Sequence, residues 1–461
     1  MNIHESTYDV TFCTMIESRR QCRRRKNIKL FNKPIPVDHD EQYITLMKWM
    51  KEHGFNCKGC CLKPAVFSDT GRGLMTKKNL RPGDSIVEIP RHLLVTAKDI
   101  LNTELGPIIK RQQQTPTPYQ VVCAFLITER SKGKSSFWYP YINVLPKDFT
   151  TPAFGSTKQA NFDVLPTIVR SRAINQLQDI RAAFETASCL FEDIERAFAQ
   201  YRSVFSFDSF VWAWFVINSR SVYMEPSGCE AFDPKASDDF ALAPFLDLLN
   251  HSPGAEVTAG FDPVSNCYRI KTLDSYHAYD QVFIHYGPHD NVNLLLEYGF
   301  VIPSNPHDAV SFELGAVVDA VKSQHDSPLP CRRTREVNDP WEFKAHTLKS
   351  ANLDLDLSCS MSGPSWNLQT ALRILCMEYN EIVTWKRVIA ENNISPATNN
   401  LISMALHKLT TDEQEQTLSM LQKLDDGVCE ENTDYVENVR MLWKERLDIL
   451  RATQVELDPN G

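Results

Sequence analysis

Four side chains able to do chemistry stand at the ends of two apolar runs. Asp247, Asn250 and His251 follow Phe245-Leu246, and Tyr286 follows Val282-Phe283-Ile284. A polar group in that position sits at the rim of a sheet, where a ligand can reach it. Carboxylate, amide, imidazole and phenol together donate and accept hydrogen bonds and hold protons. Taken singly, each has an ordinary structural reading. An Asn-His pair can simply end a helix, a strand tyrosine can be half-buried packing, and Leu294, Leu295, Tyr298 and Phe300 can be core. The chain shows no Ser–His–Asp order and no phosphate-binding loop. Cys57-Lys-Gly-Cys-Cys61 suggests zinc, but no second Cys/His pair follows at finger spacing, so these are read as reduced thiols in a loop and no metal is expected. Gly71-Arg-Gly73 is not the start of a dinucleotide fingerprint, because Thr76 stands where the third glycine belongs.

The elements that must position these groups can be traced along the chain. Asp40–His53 predicts a short helix with Ile44, Met47 and Met50 on one side, ended by Gly54. Pro64–Pro90 predicts a meander, with Gly71-Arg-Gly73 as one turn, Arg81-Pro-Gly-Asp84 as a type II turn, and Ser85–Ile89 as a strand. Helical patterns follow at Pro118–Glu129, Pro166–Tyr201 and Phe207–Ser219, the last apolar nearly all round and so buried. Glu256–Asp262 and Asn266–Leu273 alternate like strands. Beyond Trp366 the chain reads as helical. Leu368, Leu372, Leu375 and Tyr379 share a face, Thr411-Asp-Glu-Gln414 reads as a capping box opening a helix through Leu424, and Val436–Leu450 forms another helix.

Asp247-x-x-Asn-His-Ser252, then a strand ending in Tyr286-Gly287, then Glu297-Tyr-Gly-Phe300, resembles the carboxyl half of a SET domain. The spacing is similar to the branch that includes the plant Rubisco large-subunit methyltransferase, over roughly residues 41–310. The resemblance implies an α+β fold: a SET domain of short β-strands with a helical insert, followed by an all-helical carboxyl-terminal substrate-binding domain. With the residues' own pattern, little apolar periodicity at the start and a polar Ser/Asp/Pro-rich stretch after the domain, the expected boundaries are a disordered basic tail at 1–37, the SET domain at 38–310 with its insert at 96–205, a connecting segment and linker at 311–340, and the helical domain at 341–461. It implies an S-adenosylmethionine-dependent protein-lysine N-methyltransferase. Tyr286 would be the catalytic tyrosine. Gly71, Arg72, Gly73, Arg220, Asp247, Asn250, His251 and Tyr286 would hold the cofactor, and Tyr298 and Phe300 would line the lysine channel, where aromatic faces attract a methylated ammonium. The implied partner is a protein with an exposed lysine, histone tails included. Histidine is the alternative acceptor, because a near relative modifies histidine, and a non-catalytic module that binds basic peptides is the rival from another class.

Composition narrows the setting. At 461 residues the chain has room for two or three domains of roughly 150 residues. Residues 1–29 hold seven Lys/Arg and three Asp/Glu, net +4. The remainder holds 49 − 7 = 42 basic and 58 − 3 = 55 acidic residues, net −13. An acidic body favours basic partners and leaves nucleic-acid contact to the cluster Arg19–Lys29, which also reads as a nuclear signal. The longest apolar run, Phe210–Ile217, is too short to span a bilayer, so no membrane contact is expected. The amino terminus lacks a signal-peptide pattern. Thirteen cysteines without a framework read as reduced thiols, and the expected location is cytosol and nucleus.

Overall fold

The computed structural model describes residues 33–154, 160–324, 340–382, 384–391, 394–427 and 433–457. The basic cluster at 19–29 and most of the polar stretch 321–339 lie outside the described residues. The chain groups into two compact units: residues 1–146 with 187–286, and residues 147–186 with 287–461. The second unit thus takes its first piece, 147–186, from the stretch expected to form the insert.

In the first unit, the described residues form four small sheets. Strands β1 (Ile35–Pro36), β2 (Leu62–Phe67) and β3 (Gly71–Thr76) make one antiparallel sheet. Ile35 and Pro36, assigned by sequence to the tail, pair with Val66 and Ala65. Gly71-Arg-Gly73 opens β3 rather than forming the turn, because the register pairs Phe67 with Gly71 and leaves residues 68–70 as the connection. Strand β4 (Ser85–Pro90) pairs with β9 (Cys267–Thr272), which pairs with β8 (Val257–Asp262). Between β3 and β4 the Arg81–Asp84 turn closes with Asp84 N–H on the Arg81 carbonyl at 3.0 Å. Strands β5 (Ser221–Tyr223) and β6 (Phe240–Leu242) form a third sheet. Strands β7 (Asn250–His251) and β10 (Phe283–Ile284) form the fourth, a parallel pair.

The helices of this unit follow from caps and apolar faces. Helix Glu41–Glu52 buries Tyr43, Leu46, Trp49 and Met50, while Ile44 is 48% exposed. The expected face was therefore rotated: the two aromatic rings, larger than Ile44 and Met47, take the inner side. Helix Pro118–Ser131 starts at a Thr117/Gln120 capping box, a device that contributes about 1 kcal/mol. Helix Phe207–Arg220 starts at a Ser206/Ser209 box and buries Phe210–Ala213 and Phe215–Ile217. Burying a large apolar side chain gains about 1.5–3 kcal/mol, so this helix is anchored along its length and its last residue, Arg220, has a fixed starting point.

In the second unit the pattern expected over Pro166–Tyr201 begins with helix Thr167–Thr186. It ends there, and Ser188–Ala197 forms a separate helix in the first unit. Helices Leu314–Lys322, Pro340–Ser350, Trp366–Cys376, Pro396–Asp425 and Thr433–Leu457 build the rest. A small sheet of β11 (Ala309–Ser311), β12 (Ser358–Ser360) and β13 (Gly363–Pro364) joins them. Leu368, Leu372 and Leu375 are fully buried in this unit's core, as their spacing predicts. Thr411 does not open a helix. It lies inside the 30-residue helix Pro396–Asp425, whose true N-cap is Ser395, with its hydroxyl accepting from Thr398 N–H at 3.0 Å.

Candidate active site

Strand β3 and the β7–β10 pair are joined through an amide. Asn250 Nδ2 donates to the Arg72 carbonyl at 3.0 Å and to the Thr70 carbonyl at 3.5 Å. Gly73 lies close under this amide, and a larger residue would push the Asn250 and Gln281 side chains aside. A Cβ at Gly73 would stand 2.8 Å from Asn250 Nδ2 and 2.9 Å from Gln281 Nε2. The Arg72 side chain turns to the insert, its guanidinium donating to the Val144 carbonyl at 3.1 Å.

Asp247 is buried, on the one-turn helix Leu246–Leu248. Phe245, just before it, is held at φ +70° and fully buried, its ring 5.7 Å from that of Phe55. A non-glycine residue in that region is strained by about 1–3 kcal/mol, which surrounding packing must offset. Asp247 Oδ2 accepts from the Tyr141 hydroxyl at 3.1 Å, and the Asp247 carbonyl accepts from the Arg220 guanidinium at 2.6 Å. Burial pushes the Asp247 carboxyl up to about 6, against the pull of Arg220, the Tyr141 hydroxyl and Arg72. Asp247 Oδ1 and Arg220 Nε are both buried and have no hydrogen-bond partner among the described residues. Buried polar atoms are nearly always satisfied, so an unpaired acceptor and donor at this turn would suit a ligand that carries both complements.

His251 and Tyr286 are locked to each other. The parallel register sets His251 beside Ile284, two residues from Tyr286. His251 Nδ1 accepts from Tyr286 N–H at 3.1 Å, which assigns the imidazole proton to Nε2. The two rings stack with centroids 5.1 Å apart and planes at 28°. The Tyr286 hydroxyl donates to the Leu249 carbonyl at 2.6 Å. Backbone and ring contacts thus fix both ends of Tyr286.

Tyr298 and Phe300 belong to the second unit. Tyr298 ends a single π-helical turn, Leu294–Tyr298, closed by Gly299 at φ +80°. The Gly299 carbonyl accepts from Thr150 Oγ1 at 2.5 Å and Asn438 Nδ2 at 2.9 Å. The Tyr298 ring lies 5.8 Å from His289 and 6.1 Å from Phe300, and burial pushes its phenol up. The thiols of Cys57, Cys60 and Cys61 donate to three separate carbonyls, of Met47, Leu62 and Ile86. Among the described residues, no group of three or more His, Cys, Asp or Glu is arranged to hold a metal ion.

A SET domain model matches residues 71–287, the span from β3 to the residue after Tyr286. SET domain-containing protein 4 of Mus musculus is 35% identical over 439 residues, 94% of this chain and 95% of that protein. The chain belongs to the SET domain family. Actin-histidine N-methyltransferase of Mus musculus is a more distant relative, 24% identical over 63% of this chain and 48% of its own length. Among solved structures, Rubisco LSMT bound to AdoMet superposes with a TM-score of 0.58 over 91% of this chain and 94% of that one, at 17% identity, which carries the fold. The architecture is that of a methyltransferase fold: a SET domain of short strands and helices with a helical carboxyl-terminal region.

Within this SET domain the first unit brings together Gly71–Gly73, Arg220, Asp247, Asn250, His251 and Tyr286 by the bonds described. Sequence reasoning missed Tyr141 and Val144. Nothing in their own spacing marks them, because each acts on a partner about 70 to 110 residues away. The one available signal was the aromatic-rich stretch Phe137–Tyr141 inside an otherwise amphipathic insert.

Proposed function

We propose that this protein is an S-adenosylmethionine-dependent protein-lysine N-methyltransferase. The observation that carries the reading is the buried pair Asp247 Oδ1 and Arg220 Nε, an acceptor and a donor without partners among the described residues, beside the His251–Tyr286 lock. An acceptor and a donor together suit the zwitterionic amino-acid end of the cofactor. When bound, S-adenosylmethionine supplies an electrophilic methyl group on a sulfonium. Asp247 faces the ammonium, Arg220 the carboxylate, and Asn250 fastens β3 beside them. His251, stacked on Tyr286, gives the cofactor pocket a rigid wall.

The acceptor amine must arrive without its proton. Burial disfavours an ammonium and lowers its pKa, so exclusion of water does much of that work. Tyr286 orients the amine: a phenol whose proton is held by the Leu249 carbonyl acts on an amine N–H as an acceptor. Holding the two reactants in line supplies a large share of the acceleration. Tyr298 and Phe300 are assigned to the acceptor side chain on the motif alone. The acidic body suits basic protein surfaces, histone tails among them, in cytosol or nucleus. Histidine is the second reading of the acceptor, favoured by the actin-histidine relative.

Calorimetry of the purified chain with S-adenosylmethionine tests the proposal. One binding site per chain is expected. A folded sample that takes up none would remove the reading.

A further inference from the structure

Three hydrogen bonds converge on one short stretch of the insert. The Tyr141 hydroxyl donates to Asp247 Oδ2 at 3.1 Å, Arg72 donates to the Val144 carbonyl at 3.1 Å, and Trp212 Nε1 donates to the Pro146 carbonyl at 2.9 Å. The three partners lie on three separate elements: the start of β3, the Leu246–Leu248 turn, and the helix that ends in Arg220. These elements are otherwise far apart in the chain. Tyr141 is 1% exposed and Asp247 8%, so their bond is shielded from water, where a hydrogen bond to a charged group is strong.

We propose that residues 139–146 are the clamp that sets the cofactor motifs in register, and that Tyr141 is a positioning residue that keeps Asp247 oriented for the cofactor ammonium. The inference rests on the proposed cofactor reading. Tyr141, almost fully buried, is assigned no contact of its own with cofactor or substrate; it acts through Asp247. Its hydroxyl ties down Oδ2 and leaves Oδ1 as the acceptor. It also favours the ionised carboxylate, together with Arg220 from the helix and Arg72 from β3. Ionised Asp247 is the binding form, so affinity is present above its pKa and lost as pH falls through it.

The test uses the full chain and Tyr141→Phe, which keeps the ring. Two quantities are measured across pH 5–8.5: S-adenosylmethionine affinity by calorimetry, and the Asp247 carboxyl titration by carbon NMR without cofactor. Affinity at pH 7 should fall about tenfold, the scale of one charged hydrogen bond. The midpoints of both titrations should move to higher pH. Site-specific 3-fluorotyrosine at position 141, a more acidic donor, should move them to lower pH. A folded Tyr141→Phe protein with unmoved midpoints would overturn the proposal, even if its melting temperature fell. If that variant does not fold, the fluorinated protein decides, and an unmoved midpoint there has the same meaning. The two readings fail differently. If the unsubstituted chain binds no cofactor while the Asp247 titration shifts, the cofactor reading is lost and the Tyr141–Asp247 coupling stands. If cofactor binds and the titration does not shift, the positioning role is lost.

Discussion

Tyr286 is held at three points: its N–H by His251 Nδ1, its ring by the same imidazole, and its hydroxyl by the Leu249 carbonyl. Substituting Tyr286→Phe keeps the ring and the backbone bond and removes one preorganised dipole. Turnover should fall by roughly 10²–10³, with cofactor affinity within about twofold of the unsubstituted chain. The loss should appear in kcat, because the contact counts most at the transition state. His251→Ala should behave differently: it removes the stacking wall and the acceptor for Tyr286 N–H, so cofactor affinity falls as well. Steady-state kinetics beside thermal melting separates the two, and wild-type turnover in a folded Tyr286→Phe protein would show the central residue to be misassigned. These residues were legible because they cluster at the ends of apolar runs in one short stretch. Tyr141 was not, since its meaning lies in a carboxylate 106 positions away.

Between residues and molecule stand the turns and caps. Gly299 ends the π-helical turn that carries Tyr298, at φ +80°. A Cβ there would stand 2.5 Å from Thr150 Oγ1 and 3.0 Å from Thr151 N. Gly299→Ala should therefore lower stability by about 1–3 kcal/mol, combining left-handed strain with a backbone clash. Chemical denaturation measures this, and a change within about 0.5 kcal/mol would mean that the turn relaxes freely. Elements with a strong local signal agree with their sequence reading: Pro118 in a first turn, Ser85–Ile89, and the two alternating strands. The failures are cases where one pattern fits two places. Thr411-x-x-Gln414 fits a capping box, yet it lies within an uninterrupted helix. There Thr410 bonds back to the Leu406 carbonyl at 3.0 Å, and Gln454 reaches Thr411 Oγ1 at 3.0 Å. The helix starts instead at Ser395-Pro396, a signal the sequence reading passed over, and helix Pro396–Asp425 packs along Thr433–Leu457. The rotated face of Glu41–Glu52 has the same cause, because tertiary contacts of Tyr43 and Trp49 override the aliphatic stripe.

For the whole molecule, order along the chain was the informative property. The motifs at 71–73, 247–252, 286–287 and 297–300 are weak one by one and specific in sequence, and the family match over 71–287 spans all but the last. The most direct test of the central claim is transfer itself. The full chain is incubated with methyl-labelled S-adenosylmethionine and a cell extract, and the labelled protein and residue are identified by mass spectrometry. Label on a lysine side chain, deposited roughly 10²–10³-fold more slowly with Tyr286→Phe, is the predicted result; label on histidine would move the acceptor to the second reading, and no label from a folded, cofactor-binding chain would contradict the account.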